Sequence, residues 1–336
     1  MIAGAVTLVA AVAWVGVQLL RPVPPMVLTA SVTSVRALPG VAPRPDLPGR
    51  GEAAVGLPVT GLLGVHGGSR PVPIASLAKI MTADIVLRGR PLPAAGPGPV
   101  IAVAAADAAA YARDQRQGQS VVRVAAGEKL TGCQALEAML IPSGNNVASL
   151  LARWDAGSEA AFAARMNTRA RQLGLGGTRY ADGSGADPAT VSTASDQFRL
   201  TVAALQIPAF RQIVAMPQVR LPVAGLAYNV NAGLGHDGIT GVKTGSSSQA
   251  GGCLAFAAIR TVAGSPVTIV DVVLGVPATA AQPSELGGVI SAAENLLGSV
   301  GGDLEYARVV RPGASWGACP ARGVPGPPRS RPPGSA

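Results

Sequence analysis

The chain has 336 residues and a formal net charge of +9; it is 48% hydrophobic but only 3% aromatic and 13% charged, with 43 glycines and 29 prolines. That length holds one large or two ordinary domains. The core must be built from Ala, Val and Leu, and the composition excludes a coiled coil, a collagen and an acidic disordered chain.

In chain order, Ile2 to Leu20 is an uncharged apolar run ending at Arg21 and a Pro-rich stretch, so residues 1–21 read as a signal peptide or membrane anchor. Arg21 lies on the side expected to face outward. This opposes the positive-inside tendency and leads us to expect basic residues upstream. Residues 22–52 carry Pro39-Gly40, Pro43, Pro45 and Pro48-Gly49 with no periodic pattern, a linker composition. Residues 53–300 read as one catalytic domain. It opens with a hairpin over Ala53 to Val65, ended by Gly67-Gly68. A helix over Ser76 to Leu87 follows, apolar nearly all round and therefore central and buried. Thr131-Gly-Cys-Gln134 fits a capping box before a helix over Ala135 to Leu140. Further helices are expected over Asn146 to Trp154 and Glu159 to Leu173, the second stopped by Gly174. Strands over Gly251 to Thr261 and Pro266 to Val276 are joined at hairpin spacing by Ala263-Gly-Ser265, and Pro283 to Leu297 returns to helix. Strand pair, helical middle, strand pair and helix make an α+β domain whose sheet is closed by both ends of the chain. Residues 301–336 form a short, largely disordered extension rich in Pro and Gly.

Of the 27 basic residues only three are lysines: Lys79, Lys129 and Lys243. A lysine can lose its proton when buried and an arginine cannot, so the lysines retained in so arginine-rich a chain are informative. Ser76-Leu-Ala-Lys79 places a hydroxyl and an amine on one helix face, where a lysine of depressed pKa can take the serine proton. Ser-x-x-Lys alone arises by chance in many chains, and its bland reading is a surface pair; the apolar helix around it argues against that. Ser143-Gly-Asn145 before a helix reads on its own as a capping turn, or as a loop offering a hydroxyl for proton relay and an amide for gripping a peptide bond. Lys243-Thr-Gly245 reads as an edge-strand lysine, or as a carboxylate- or β-lactam-binding rim where the glycine lets another backbone approach. The ordered set of all three is far more specific than any member, being a recognised active-site set.

With these motifs in view the chain resembles the D-alanyl-D-alanine carboxypeptidase family of low-molecular-mass penicillin-binding proteins. The resemblance is carried by Pro73-Ile-Ala-Ser-Leu-Ala-Lys-Ile-Met-Thr82, Met139-Leu-Ile-Pro-Ser-Gly-Asn145, Gly241-Val-Lys-Thr-Gly245, Ala250-Gly-Gly-Cys-Leu254 and Ser192-Thr-Ala-Ser-Asp196, and it runs from about Ala53 to Leu297. It implies a β-lactamase-like fold, an antiparallel sheet flanked by helices plus a mostly helical lobe, with the active site between them. It further implies that Ser76 is the nucleophile, Lys79 its base (kept neutral with help from Lys243) and Ser143 the relay to the departing D-Ala. Asn145 would hold the substrate amide, and Lys243, Thr244 and Gly245 would form the carboxylate rim. The backbone N–H groups of Ser76 and Ser246 would form the oxyanion site. No metal or organic cofactor is implied. The expected partners are peptidoglycan stem peptides, β-lactams as covalent inhibitors, and the membrane through the N-terminal segment, outside the cytoplasm.

Several alternatives remain at this level. A class A β-lactamase needs a carboxylate for the deacylating water. Glu159 is the only glutamate between Ser143 and Lys243, and position 163 is Ala rather than the Asn of the Glu-x-x-x-Asn pattern. A cross-link endopeptidase and a non-hydrolytic wall- or β-lactam-binding module carry the same motifs. Dispersed arginines and scarce aromatics argue against nucleic acid. Three cysteines (Cys133, Cys253, Cys319) and two histidines (His66, His236) are too few for a disulfide scaffold or a zinc site. Cys253 reads as a small buried residue, with a Cys133–Cys253 pairing left open, and the histidines as turn or surface residues.

Overall fold

Starting at the N-terminal hairpin, β1 (Glu52–Leu57) is buried along its whole length and pairs antiparallel with β2 (Gly61–His66). A short β3 (Val72–Pro73) leads into a tight 3-10 turn, Ala75–Leu77, which continues as α1 (Ala78–Gly89). The expected buried helix is present, but its first turn is wound tighter than α, and Ser76 sits in that turn. Burial on every side of α1 includes Lys79, Thr82 and Asp84, and buried polar groups need partners. Thr82 Oγ1 donates to Gly183 O at 2.7 Å, and Asp84 accepts from Arg88 and Arg169, both at 2.8 Å.

After β4 (Val100–Ala102) comes α2 (Ala105–Arg116), which has little apolar periodicity and is alanine-rich. Then β5 (Lys129–Thr131) pairs with β4 and runs into α3 (Gly132–Leu140). The capping box is formed: Gln134 N donates to Thr131 Oγ1 at 3.1 Å, and Thr131 N donates to Gln134 Oε1 at 3.0 Å. Next are α4 (Asn145–Ala156) and α5 (Glu159–Gln172), followed by Gly174 at φ +69°. The short β6 (Val191–Ser192) pairs with β3, and α6 (Ala194–Leu205) follows, capped by Thr193 Oγ1 on Asp196 N at 3.2 Å. Buried Glu52 reaches this helix start too, accepting from Ala194 N at 3.2 Å. Then come α7 (Pro208–Val214) and a hairpin of β7 (Gln218–Leu221) and β8 (Gly225–Tyr228).

Three long strands complete the sheet: β9 (Ile239–Ser247), β10 (Gly251–Val262) and β11 (Ser265–Val276), before the final helix α8 (Glu285–Asp303). The sheet order is β2-β1-β11-β10-β9, antiparallel throughout. The N-terminal hairpin thus zips onto the C-terminal strands, as the α+β reading requires. One face, carrying Ala54, Ala255, Ala257, Val270, Val272 and Leu274, joins the core of the helical lobe. On the opposite face Val289, Ala293, Leu296, Leu297 and Val300 of α8, at helical spacing, pack on Ala53, Val55, Leu254, Phe256, Ile269 and Val273. Lys243-Thr-Gly245 lies within β9, at the sheet edge, rather than on an approach to the next strand.

This computed structural model describes residues 45–304, apart from 69, 93–95 and 263, together with Trp14. The expected signal or anchor at 1–21, most of the 22–52 linker and the extension beyond 304 lie outside the described residues. Apart from Trp14, the described residues fall within one compact unit, Gly40–Arg308. Among the described residues no helix is long and apolar enough to cross a membrane.

Candidate active site

Three chain segments meet around the Lys79 amine. Its Nζ lies 2.6 Å from Ser76 Oγ, 2.6 Å from Asn145 Oδ1 and 3.4 Å from Ser143 Oγ. Lys79 is fully buried, whereas Ser76 remains partly accessible. Burial pushes the Lys79 pKa well below its ordinary 10.5, the positive charge of Lys243 lowers it further, and Asp182 opposes the shift. Lys243 is also buried, which brings its pKa down to about 7, and its Nζ donates to Thr244 O at 2.8 Å. An amine whose proton is lost more easily, at bonding distance from a serine hydroxyl, is a candidate base for that hydroxyl. All three lysine-linked groups expected from the sequence are therefore brought together.

Close backbone packing sets this geometry. A Cβ at Gly245 would lie 2.7 Å from Ser76 N, so β9 can press against the Ser76 turn only with glycine there. A Cβ at Gly185 (φ +78°) would fall 1.7 Å from Ala75 O, so the loop on the other side is equally tight. Between them Ala75 takes φ 44°, and across the cleft Ser143 takes φ 67°. Left-handed backbone at non-glycine residues costs about 1–3 kcal/mol each and is retained where the surroundings over-determine it. Thr244 and Gly245 are buried along β9 and Ser246 is exposed at the cleft, opposite Gly252 of β10.

Four residues of the site went unread in the sequence. Gln119 Oε1 accepts from Asn145 Nδ2 at 3.0 Å, which fixes the amide so that Oδ1 faces Lys79. A carboxamide nitrogen has two hydrogens, and one of them is used by Gln119. Asn146 clamps the same segment by accepting from Val122 N at 2.9 Å and donating to Val122 O at 2.8 Å. Asp182 gathers Ser184 Oγ, Gly185 N, Ala186 N and Thr190 Oγ1, holding the loop that carries Gly183 and Gly185. Asp182 directly precedes Gly183-Ser-Gly185, a composition that could have marked a tight loop; Gln119 carried no signal.

The remaining candidates fall outside the cluster. Glu159 pairs with Arg153 and accepts from Ser149 Oγ. Cys133 and Cys253 are both free thiols, so the pairing left open is not made. Burial and Glu137 push the Cys133 thiol up to about 11, and burial pushes Cys253 to about 12. His236 is exposed and His66 ends β2; Asp237 faces Arg260 at 3.8 Å. Among the described residues no cluster of His, Cys, Asp or Glu could hold a metal ion.

The family model described as D-alanyl-D-alanine carboxypeptidase matches residues 64–278, and the chain belongs to that family. It is 34% identical over 206 residues to the D-alanyl-D-alanine endopeptidase of Pseudomonas aeruginosa, covering 59% of this chain and 63% of the relative. The D-alanyl-D-alanine carboxypeptidase of Streptomyces sp. K15 is 33% identical over 152 residues, covering 40% and 52%. The matched segments thus span less than two thirds of these curated relatives. Among solved structures, the Streptomyces K15 DD-transpeptidase aligns with TM-score 0.62 and 24% identity, over 79% of this chain and 98% of that one. An evolved penicillin-binding protein homologue from Mycobacterium tuberculosis aligns with TM-score 0.65 and 26% identity, over 78% and 94%. The fold is β-lactamase-like.

Proposed function

We propose that this chain is a serine-type D-alanyl-D-alanine carboxypeptidase that removes the terminal D-Ala of peptidoglycan stem pentapeptides. The supporting observation is the buried Lys79 amine, within bonding reach of Ser76, Ser143 and Asn145, with its pKa pushed down. In this reading neutral Lys79 takes the Ser76 proton as Oγ attacks the carbonyl of the penultimate D-Ala. The oxyanion is met by the backbone N–H groups of Ser76 and Ser246, donors of a kind worth about 2.7–4 kcal/mol each. Asn145 holds the substrate amide, while Lys243, Thr244 and Gly245 form the rim for the terminal carboxylate. The C–N bond breaks as Ser143 relays the proton from Lys79 to the departing amine. Water then cleaves the ester and restores Ser76.

β-Lactams enter the same path and acylate Ser76. Glu159 is held by Arg153 and Ser149 and is not hydrogen-bonded to the Ser76–Lys79 pair, so deacylation is slow and penicillin inhibits. Membrane association through residues 1–21 and action at the cell wall, outside the cytoplasm, complete the proposal. The test is incubation of wild type and Ser76→Ala with a D-Ala-D-Ala pentapeptide. Free D-alanine is expected from wild type alone; equal release from both removes Ser76 from the mechanism.

A further inference from the structure

Helix α5 carries Arg165 and Arg169 one turn apart, and α1 carries Ile85 and Arg88 one turn apart. These four side chains line a surface groove of about 430 Å³ between the two helices, and no acidic side chain lines it. The groove lies away from Ser76: Arg88 is nine residues beyond Lys79, about 14 Å along α1. Charge is unbalanced there. Fully buried Asp84 is shared by Arg88 Nε and Arg169 Nε, both at 2.8 Å. Asp155 is likewise shared, by Arg165 Nη1 at 2.7 Å and Arg90 Nε at 3.8 Å. Two carboxylates against four guanidiniums leave a surplus of two positive charges, before exposed Arg171, which donates to Thr168 Oγ1 at the groove edge, is counted. The anchoring uses only part of each donor set. Among the described residues Arg169 bonds through Nε alone, and Arg165 through Nη1 alone. The side chains of Arg88, Arg165 and Arg169 stay 43%, 54% and 21% exposed, so their remaining N–H groups are open to a ligand.

We propose that this groove binds a soluble phosphomonoester, its phosphate held by Arg88, Arg165 and Arg169 and its organic part lying on Ile85 and Ala164. The site is separate from the reaction at Ser76 and does not depend on it. Geometry favours phosphate over carboxylate. One guanidinium fork satisfies a carboxylate, whereas a phosphate group offers oxygens to several forks at once. Charge favours the monoester: it carries about −1.5 to −2 at pH 7, which matches the surplus, while a diester carries a single charge. Arg88 and Arg169 are already held side by side on Asp84, so little side-chain freedom is lost when they grip an anion. Size calls for more than the phosphate alone. The groove falls within the range of about 300–1,000 Å³ typical of small-molecule sites, and its apolar lining, Ile85 and Ala164, suits an attached carbon skeleton.

The experiment titrates the full chain at fixed ionic strength with glycerol 3-phosphate and with succinate by calorimetry, and with phosphatidylglycerol vesicles by cosedimentation. Glycerol 3-phosphate is expected to bind saturably and more tightly than succinate. Arg165→Gln, which leaves Arg90 on Asp155, should weaken that binding about tenfold, the scale of losing a charge-assisted hydrogen bond. Arg169→Lys, which keeps a cation beside Asp84 but loses the fork, should weaken it by a similar factor. Arg113→Gln, on α2 and outside the groove, should bind as wild type does. Urea unfolding checks that each variant folds, and either groove variant alone decides. No saturable binding of glycerol 3-phosphate, equal affinity for succinate, or wild-type affinity in a folded groove variant overturns the site. So does an equal loss in Arg113→Gln, which means diffuse surface charge. Binding to the vesicles without binding of glycerol 3-phosphate means a membrane surface instead and also overturns it.

Discussion

The two faces of the five-stranded sheet each bury titratable side chains, with opposite provision for them. On the helical-lobe side Lys79 has Ser76, Asn145 and Ser143 around its amine, and Lys243 donates to Thr244 O. On the α8 side Asp271, between Ile269 and Val273 on β11 and opposite Val55 and Phe256, has no hydrogen-bond partner for either carboxylate oxygen. Both groups have pKa values displaced mainly by burial, Lys79 downward and Asp271 well upward. The contrast separates what burial costs from what it can be used for. A desolvated group becomes chemically useful when its partners stand where a reaction can use the displaced proton; without them the displacement only opposes folding.

The largest effect tests the partnered side. Lys79→Met should lower kcat/KM for D-alanine release about 10⁴-fold, the scale seen when one member of a catalytic unit is removed. It should bring no gain in stability, because Asn145 Oδ1 and Ser143 lose the amine they face. Steady-state kinetics with urea unfolding on the same preparation checks both halves. The alkaline limb of the pH profile comes next. In the proposed mechanism Lys243, with its pKa brought down to about 7, loses the charge that would hold the substrate carboxylate as pH rises through that value. The kcat/KM profile should therefore fall above about pH 7, and Lys243→Arg, charged throughout, should flatten that limb.

A smaller change sharpens how the partners are held. Gln119→Leu removes the acceptor that orients the Asn145 amide and should cost about tenfold in kcat/KM, like the loss of a hydrogen bond worth about 1.4 kcal/mol. A freed amide can turn its NH₂ toward Lys79, which disfavours the ammonium and moves the acid limb to lower pH. A structural defect alone would leave that limb in place. On the partnerless side, Asp271→Val should raise stability by about 1–3 kcal/mol at neutral pH, since no group loses a partner. A carboxyl whose folded pKa is raised holds its full stability below the unfolded value near 3.8. That stability is lost as pH rises through the folded value, so the gain from Val should shrink toward pH 3 in urea titrations.

What the sequence yielded follows the range of the interactions involved. Ser76 and Lys79 sit one helical turn apart, and Thr131 caps Gln134 three residues on, so local spacing was enough. The sheet closed by both chain ends could be read because each hairpin announces itself by alternation and turn residues. α2 and α6 were missed for different reasons: the first is held by alanine propensity with almost no apolar stripe, and the second is capped by Thr193 and anchored to Glu52, 142 residues away. Gln119 was invisible because its role exists only through Asn145, 26 residues on. The β7–β8 hairpin hid among short Pro- and Gly-interrupted runs. The resemblance to a known family pointed to Ser76 as the candidate nucleophile, but not to the residues that orient the groups around it.

The account turns on Lys79 being an uncharged amine beside Ser76 near neutral pH. Because the chain holds only three lysines, NMR titration of the protein with isotope-labelled lysine gives three side-chain signals, assigned by single substitutions. The account predicts that the Lys79 signal is that of a neutral amine at pH 7 and turns to the ammonium form only on acidification. A Lys79 signal that stays ammonium until the ordinary lysine value near 10.5 would contradict it.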